Sequence, residues 1–385
     1  MLSLFFKQKK QGHLMNLSKE DLARYSRHLL LSEIGLEGQK KLKAASVLVI
    51  GAGGLGCPVL QYLAAAGVGR IGVIDLDVLE ESNLQRQILY TVADVGRNKA
   101  LAAQQRLLAL NPLIEVLAYP FALETSNALE LFESYDFIVD GTDNFATRYL
   151  VNDACVMTDK PLVYGSIFKF EGQVAVFNYQ NGPSYRCLFP NPPAPGEVPN
   201  CSEVGVLGVL PGVIGAMQAN EVLKMILGLG NVLSEKLLVY NALSAESLIL
   251  NIKANPRVIN ETKAMKTKFE ELNYTAFCGL EKPSEVAEIS PEMLFENLEK
   301  YTLIDVRETW EQPRHKALEG IDIPLPRLIL WKDKIPKDKP VVVLCAKGIR
   351  SKVAIEQLQN QFGYTNLMNL TGGIKNWDAQ LLKIK

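Results

Sequence analysis

The sequence predicts an α/β protein: an open, mainly parallel sheet of the Rossmann-like kind, followed by a second, smaller α/β unit. Three observations carry this. Short β-branched runs alternate with helical patterns from residue 46 onward, a glycine-rich turn joins the first strand to its helix, and the alternation restarts near residue 302 after an aperiodic stretch. A chain of 385 residues also exceeds one ordinary domain of about 100–200 residues.

Residues 46–50, S-V-L-V-I, read as a buried strand. The pattern from Leu55 to Ala66 reads as a helix, and I-G-V-I-D at 71–75 as the next strand, giving a parallel, right-handed strand–helix–strand unit. Further strands are expected at 114–118, 136–140, 161–167 and 173–178, with helices at 97–110 and 207–227. Residues 181–205 break the rhythm. Five prolines between 190 and 199 forbid helix or central strand there, so a long surface loop is expected. Strand patterns resume at 237–252. Residues 255–284 mix Lys and Glu with little periodicity and read as a linker between a first domain, 16–254, and a second, 285–385. The second carries T-L-I-D-V at 302–306, V-V-V-L-C at 341–345, a helix from Ser351 and G-G-I-K-N-W at 372–377. Residues 1–15 read as a disordered extension.

Hydrophobic residues at 48% and charged residues at 22% exclude wholesale disorder. Lys and Arg number 41 against 42 Asp and Glu, a balance that argues against a general nucleic-acid binder. Three histidines argue against a His-built metal site. No run reaches the about 18–20 apolar residues of a membrane helix, and the N-terminal apolar block precedes its positive charges, the wrong order for a secretory signal. Six cysteines (57, 155, 187, 201, 278, 345) form no dense framework, so reduced thiols and a cytoplasmic location are expected.

G-A-G-G-L-G, with Gly51, Gly53, Gly54 and Gly56, follows a strand and opens a helix. Asp75 stands nineteen residues after Gly56, at the next strand end. Glycines permit a tight turn and close backbone approach, the helix N-terminus offers N–H groups to phosphate, and Asp75 can accept from ribose hydroxyls. Alone, the motif says only nucleotide, with NAD the commonest occupant. Beyond it lie Asn83 and Arg86, Lys99 at the next helix start, and D-G-T-D-N, Asp140 to Asn144, after a buried strand. Arg86 and Lys99 suit a triphosphate, and Asp143 has the hard oxygens that Mg²⁺ takes. Each of these charges taken singly also reads as solvated surface.

Together with R-Y-S-R-H (Arg24 to His28), S-N-L-Q-R-Q and the helix after V-L-G-V-L-P-G-V-I-G, these motifs resemble the adenylating domain of ubiquitin-activating-type enzymes. The resemblance is nearest to adenylyltransferases that activate sulfur-carrier proteins for molybdopterin and thiamine synthesis, and spans roughly residues 20–250. It implies ATP and Mg²⁺ as cofactors and adenylation of a carrier's C-terminal glycine. Gly51, Gly53, Gly54, Gly56, Asp75, Asn83, Arg86, Lys99, Asp143 and Asn144 are the implied nucleotide positions. Arg86 and Asp143 are the implied catalytic residues, and Asp143 the metal ligand. Arg27 corresponds to an arginine that reaches the partner subunit's nucleotide, which implies a homodimer.

Relatives often carry zinc in a C-x-x-C…C-x-x-C arrangement. Here Ser184 and Cys187 stand at the first pair, with Val258 and Glu261 where the second cysteines are expected. One thiolate cannot build a four-ligand site, so no structural zinc is expected. Cys201, in P-N-C-S-E-V, occupies the place of the family's thioester- or disulfide-forming cysteine, against its plain reading as a loop thiol. Cys57 and Cys155 read as core, and Cys278 as linker packing.

Cys345 ends a buried strand and opens C-A-K-G-I-R-S before a helix. In the loop of Cys345, Ala346, Lys347, Gly348, Ile349 and Arg350, successive N–H groups can cradle an anion, with the two cations and the helix dipole adding positive potential. Such a field stabilises a thiolate or persulfide. A phosphatase loop would place five residues, rather than four, between Cys and Arg. With L-I-D-V-R-E (Leu303 to Glu308) and T-G-G-I-K-N-W, the segment 285–385 resembles a rhodanese domain, in which Asp305, Arg307 and His315 are expected to be structural.

The combined expectation is adenylation of a small ubiquitin-like sulfur carrier, then sulfur transfer from a Cys345 persulfide, directly or through Cys201, to give a thiocarboxylate. The sulfur donor is expected to be a cysteine desulfurase or thiosulfate. The alternatives are an NAD-linked oxidoreductase, against which the lack of a hydride-site His or Tyr constellation weighs, and an activator of a modifier for conjugation to lysines.

Overall fold

The structure, a computed structural model, describes residues 16–194, Glu197, 205–279 and 286–384. In the first half of the chain, β1 (Ser46–Ile50) is buried along its whole length and splits its side chains between two cores. Val47 and Val49 face the helices Gly56–Ala66, Lys99–Leu110 and Leu210–Leu227, while Leu48 and Ile50 face Thr125–Glu133 and Phe145–Met157. A strand covered on both faces carries the continuous apolar run of a parallel sheet. Eight strands form that sheet in the order β3-β2-β1-β4-β5-β6-β7-β8, with β2 (Arg70–Ile74), β3 (Glu115–Tyr119), β4 (Phe137–Asp140), β5 (Leu162–Phe168), β6 (Glu171–Phe177), β7 (Lys236–Asn241) and β8 (Glu246–Asn251). Pairing is parallel from β3 through β5 and antiparallel from β5 through β8.

The chain divides into two compact units, the first ending at Leu280 and the second beginning at Glu281. The second has its own five-stranded, wholly parallel sheet in the order β11-β10-β12-β13-β9, with β9 (Ala287–Ile289), β10 (Thr302–Asp305), β11 (Ile321–Asp322), β12 (Val341–Leu344) and β13 (Leu367–Leu370). Helices cover both faces: Ile349–Phe362 packs with Val341 and Val343, and Gly373–Ile384 brings the buried Trp377 to Val342 and Leu344.

Two expectations are corrected. The stretch from Asn255 that read as a linker is folded onto the first unit. Asn255 caps the Pro256–Ala264 helix with its side-chain oxygen, and a 3₁₀ segment (Met265–Glu271) and a turn of helix (Tyr274–Phe277) follow. Phe269, Tyr274 and Cys278 are buried in the same core as Phe132 and Tyr149. Three anchors spaced this widely leave no periodic trace, although Asn before Pro is itself a helix-start signal. The region from 181 is likewise no surface loop at its start. Ser184 and Tyr185 are buried, and Tyr185 opens a helical turn ending at Leu188.

Candidate functional site

The sheet winds outward from β1 to β3 and resumes on the other side of β1 with β4, so the carboxyl ends of β1 and β4 flank the crevice where such sheets bind ligands. Gly51 leaves β1 at φ +87°, and a Cβ there would lie 2.9 Å from the Gly141 oxygen. A Cβ on Gly56 would meet the Gly51 oxygen at 1.9 Å. Backbone packed this closely admits no side chain, and its N–H groups stand at the start of the Gly56–Ala66 helix.

Asp75 leaves β2 and accepts from the Ala52 N–H through Oδ2 and from the Asp77 N–H through Oδ1, each at 2.8 Å. Two of its roughly four lone-pair positions remain for a further donor. Burial pushes this carboxyl up, and the Lys99 ammonium opposes the shift. Lys99, nearly buried at the start of the Lys99–Leu110 helix, holds Asp77 Oδ2 at 2.9 Å. Arg86 donates to the Ser82 oxygen at 3.2 Å and passes over the turn, with Cδ 3.7 Å from where a Gly54 Cβ would be. Pro211 approaches the same point at 3.1 Å. Asp143 is exposed just past β4, and its charge adds to the burial that pushes Asp140 up.

Gly51, Gly53, Gly54, Gly56, Asp75, Arg86, Lys99 and Asp143 thus gather at the ends of β1, β2 and β4. Asn83 is spent locally, its side-chain oxygen accepting from Glu80 N–H at 3.1 Å. Asn144 caps the Phe145–Met157 helix, accepting from Thr147 N–H at 2.9 Å. Arg27 is exposed on the Ser26–Leu29 turn, and none of the described contacts joins it to the group. Among the described residues no cluster of three or more His, Cys, Asp or Glu gathers. A single exposed carboxylate beside a glycine cradle nevertheless fits Mg²⁺, which takes one or two protein carboxylates and completes its shell with phosphate and water.

Motif reading missed the residues beneath this surface. Tyr90 donates its hydroxyl to the Ala52 and Lys99 oxygens, bracing the turn. Asp140 and Arg148 are both buried, with Oδ2 and Nε facing each other at 3.6 Å and neither atom hydrogen-bonded. Arg148 also lies over the Tyr164 and Phe145 rings at 5.2 and 5.3 Å. The buried Gln218 donates to the Asp140 oxygen at 2.8 Å, tying the Leu210–Leu227 helix to β4. Tyr90 meets Ala52 across 38 residues and Gln218 meets Asp140 across 78, and Arg148, in the first turn of its helix, hints at a buried charge only through its apolar neighbours.

Around Cys187 the structure brings Ser184 and Asn255 together. The sulfur accepts from their N–H groups at 3.4 and 3.3 Å. Beside it Arg186 forms a two-nitrogen pair with the buried Asp153 at 2.7 and 2.8 Å, stacks on Tyr149 and Phe277, and shares Asp153 with the Tyr274 hydroxyl. An ionic and aromatic clamp therefore joins the Tyr185–Leu188 turn to the Pro256–Phe277 segment. Cys201 lies outside the described residues. Cys57 and Cys155 are fully buried, and burial pushes the Cys57 thiol up to about 12.

In the second unit Cys345 follows β12 with only 1% exposure. Its sulfur accepts from the Gly348 N–H at 3.2 Å and lies 3.3 Å from the Ser351 hydroxyl, which also faces Asn369 Oδ1 at 2.6 Å. The loop is closed from β13. Ile374 and Lys375 donate to the Cys345 and Ala346 oxygens, and a Cβ on Gly373 would strike the Cys345 oxygen at 2.3 Å. Lys347 and Ile349 are exposed. Arg350 makes two bonds of 2.7 Å to the two carboxylate oxygens of Glu311, a partner that sequence reading missed. Burial alone would raise the Glu311 carboxyl, but the bonds from Arg350 and the Glu308 N–H hold it below the usual range. Arg307, buried, clasps Asp305 through Nε and Nη2 and donates to the Pro313 oxygen, so this pair is structural. His315 contacts Asp378 at 2.7 Å.

Comparison with known proteins bears on both units. The model of the ThiF family matches residues 25–260, and that of the rhodanese-like domain matches residues 290–380. The chain is 56% identical over 273 residues to a sulfur carrier protein adenylyltransferase of Thermus thermophilus, covering 69% of this chain and all of that protein. It is 44% identical over 384 residues to the probable adenylyltransferase/sulfurtransferase MoeZ of Mycobacterium tuberculosis, covering 95% of each. Among solved structures, E. coli MccB with MccA-N7isoASN superposes with a TM-score of 0.54 at 25% identity, over 64% of this chain and 75% of that one. The geometry and these likenesses converge: the chain belongs to the ThiF family, with a rhodanese-like domain in its second unit.

Proposed function

We propose that this protein adenylates the C-terminal glycine of a small ubiquitin-like sulfur carrier and then converts it to a thiocarboxylate with sulfur held on Cys345, in molybdopterin- or thiamine-type biosynthesis. One observation supports this above others. A single chain pairs a glycine cradle at the sheet's switch point with a cysteine whose sulfur receives a backbone N–H, and it matches an adenylyltransferase/sulfurtransferase along 95% of its length.

In the first step a carboxylate oxygen attacks the α-phosphorus of ATP, the bond to the β-phosphate breaks and pyrophosphate leaves. Arg86 and Lys99 would neutralise phosphate charge, Asp75 would hold the ribose, and Asn83 and Asn144 would line the same crevice. Asp143 would hold Mg²⁺, whose charge offsets that of the phosphates when bound. Positioning and fixed charge suffice for such a displacement without a general base. Arg27 would serve the neighbouring protomer's nucleotide in a homodimer.

In the second step the terminal sulfur of a Cys345 persulfide attacks the acyl carbon and AMP leaves. A second thiol, Cys201 or a small-molecule thiol, cleaves the resulting acyl disulfide, releasing the thiocarboxylate and leaving a disulfide for a cellular thiol to reduce. This chemistry suits a reducing, cytoplasmic setting. The test is Cys345→Ala. It should keep carrier-dependent ATP–pyrophosphate exchange and lose thiocarboxylate formation, read by mass spectrometry of the carrier. Thiolation at the parental rate with the same donor would refute the role of Cys345.

A further inference from the structure

The sulfur loop presents two cations in sequence, Lys347 and Arg350, and read alone it invites a small dianion. The geometry says otherwise for Arg350. Both terminal guanidinium nitrogens face the two oxygens of Glu311 at 2.7 Å, and the groups are only 19% and 17% exposed. A planar two-bond pair is the strongest arrangement such a cation has, and it leaves little positive charge over.

Glu311 is not there by chance of a mobile side chain. Its Oε1 also accepts from the Glu308 N–H at 2.8 Å. The turn that carries it is pinned by Arg314, which donates to the Glu308 and Glu311 backbone oxygens and to Asp305 and Asp322. Arg307 pins it again at Pro313. The carboxylate is therefore placed before any substrate arrives. Trp310, next to it, is 75% exposed, and Ile349 in the loop is 51% exposed, so with Arg350 paired the rim offers two apolar side chains beside the single exposed cation Lys347.

We propose that Glu311 is a specificity-determining residue that masks Arg350, turning the Cys345 loop against small dianionic sulfur donors such as thiosulfate and toward a persulfide carried on a cysteine. This rests on the sulfur-transfer reading above and names its donor class. In the favoured reaction the Cys345 thiolate attacks the terminal sulfur of the donor persulfide, the donor S–S bond breaks, and the donor cysteine leaves as a thiolate with the electron pair. No net oxidation occurs. With thiosulfate the leaving group would be sulfite, a dianion that the masked loop does not stabilise.

The test is steady-state sulfur transfer to cyanide by the full chain, with thiosulfate or cysteine hydropersulfide as donor. The parental protein should favour the hydropersulfide by about tenfold in kcat/KM, and equal use of thiosulfate would overturn the proposal. Glu311→Gln, which keeps an acceptor for Arg350 but removes the charge, should lower KM for thiosulfate by about tenfold, with the gain fading at high salt. An unchanged or raised KM overturns the assignment. The double variant Glu311→Gln/Arg350→Gln should lose the gain, and its survival would show that Arg350 is not the group unmasked. If the parental chain takes sulfur from neither donor, the sulfur-transfer reading itself fails, whereas a thiosulfate preference sinks the Glu311 assignment alone.

Discussion

The two units each place their chemistry on a turn that leaves a buried parallel strand and enters a helix, yet they build it differently. The Gly51–Gly56 turn is open: its glycines clear space, Asp75 keeps lone pairs in reserve, and Lys99 and Arg86 border it. The Cys345–Arg350 turn is closed: the sulfur is already bonded, Gly373 presses against the loop, and Glu311 takes up the Arg350 charge. An open turn suits a large, highly charged ligand that brings its own contacts. A closed turn suits one small atom that must be held and protected. The lesson is that similar local backbone supports either task, and that the surrounding charges decide which.

Four substitutions or titrations sharpen or break this contrast. Arg148→Met strips the partner from a buried carboxylate beneath the open turn, and the first unit should lose about 3–5 kcal/mol in denaturant unfolding. A loss below about 1 kcal/mol would mean that Asp140 is neutral in the folded protein, in keeping with the upward push of burial. Asp143→Ala should cut ATP–pyrophosphate exchange by about 10²–10³-fold while circular dichroism and Cys345 persulfide loading stay unchanged. Parental exchange would remove Asp143 from the site. Gly373→Ala combines φ +63° with the 2.3 Å clash against the Cys345 oxygen. It should destabilise the second unit by about 1–3 kcal/mol and reduce persulfide loading, leaving exchange untouched. Loss of exchange in that variant would break the separation of the two turns.

The smallest effect is in pH. Because Glu311 is held below the ordinary carboxylate range, its contribution to stability is complete at neutral pH and is lost as pH falls through the lowered value. The stability gap between the parental chain and Glu311→Gln should stay flat from about pH 8 to 5 and close below about pH 4. A gap that widens on acidification would reverse the assigned sign.

Most of the open turn was legible in the sequence, because G-A-G-G-L-G, Asp75 and the residues up to Lys99 signal through short spacings. The Cys345 loop was legible for the same reason. What escaped depends on chain brought together from afar: Glu311 meets Arg350 across 39 residues, and Gln218 meets Asp140 across 78. Asn144, expected at the nucleotide site, also caps a helix through its side-chain oxygen, a duty that the same D-N-F context spells. The folded segment after Asn255 was hidden by sparse anchors, since Phe269, Tyr274 and Cys278 follow no helical period. Composition alone cannot weigh three well-placed side chains against a dozen charged ones.

The near-complete enclosure of Cys345 has a temporal consequence. A thiol with 1% exposure reacts with peroxide or an alkylating reagent only in the moments when its enclosure breathes. On the proposed role of Cys345, the opening rate of the Gly348 and Gly373 contacts would set how long a sulfur held there stays out of reach of outside reagents.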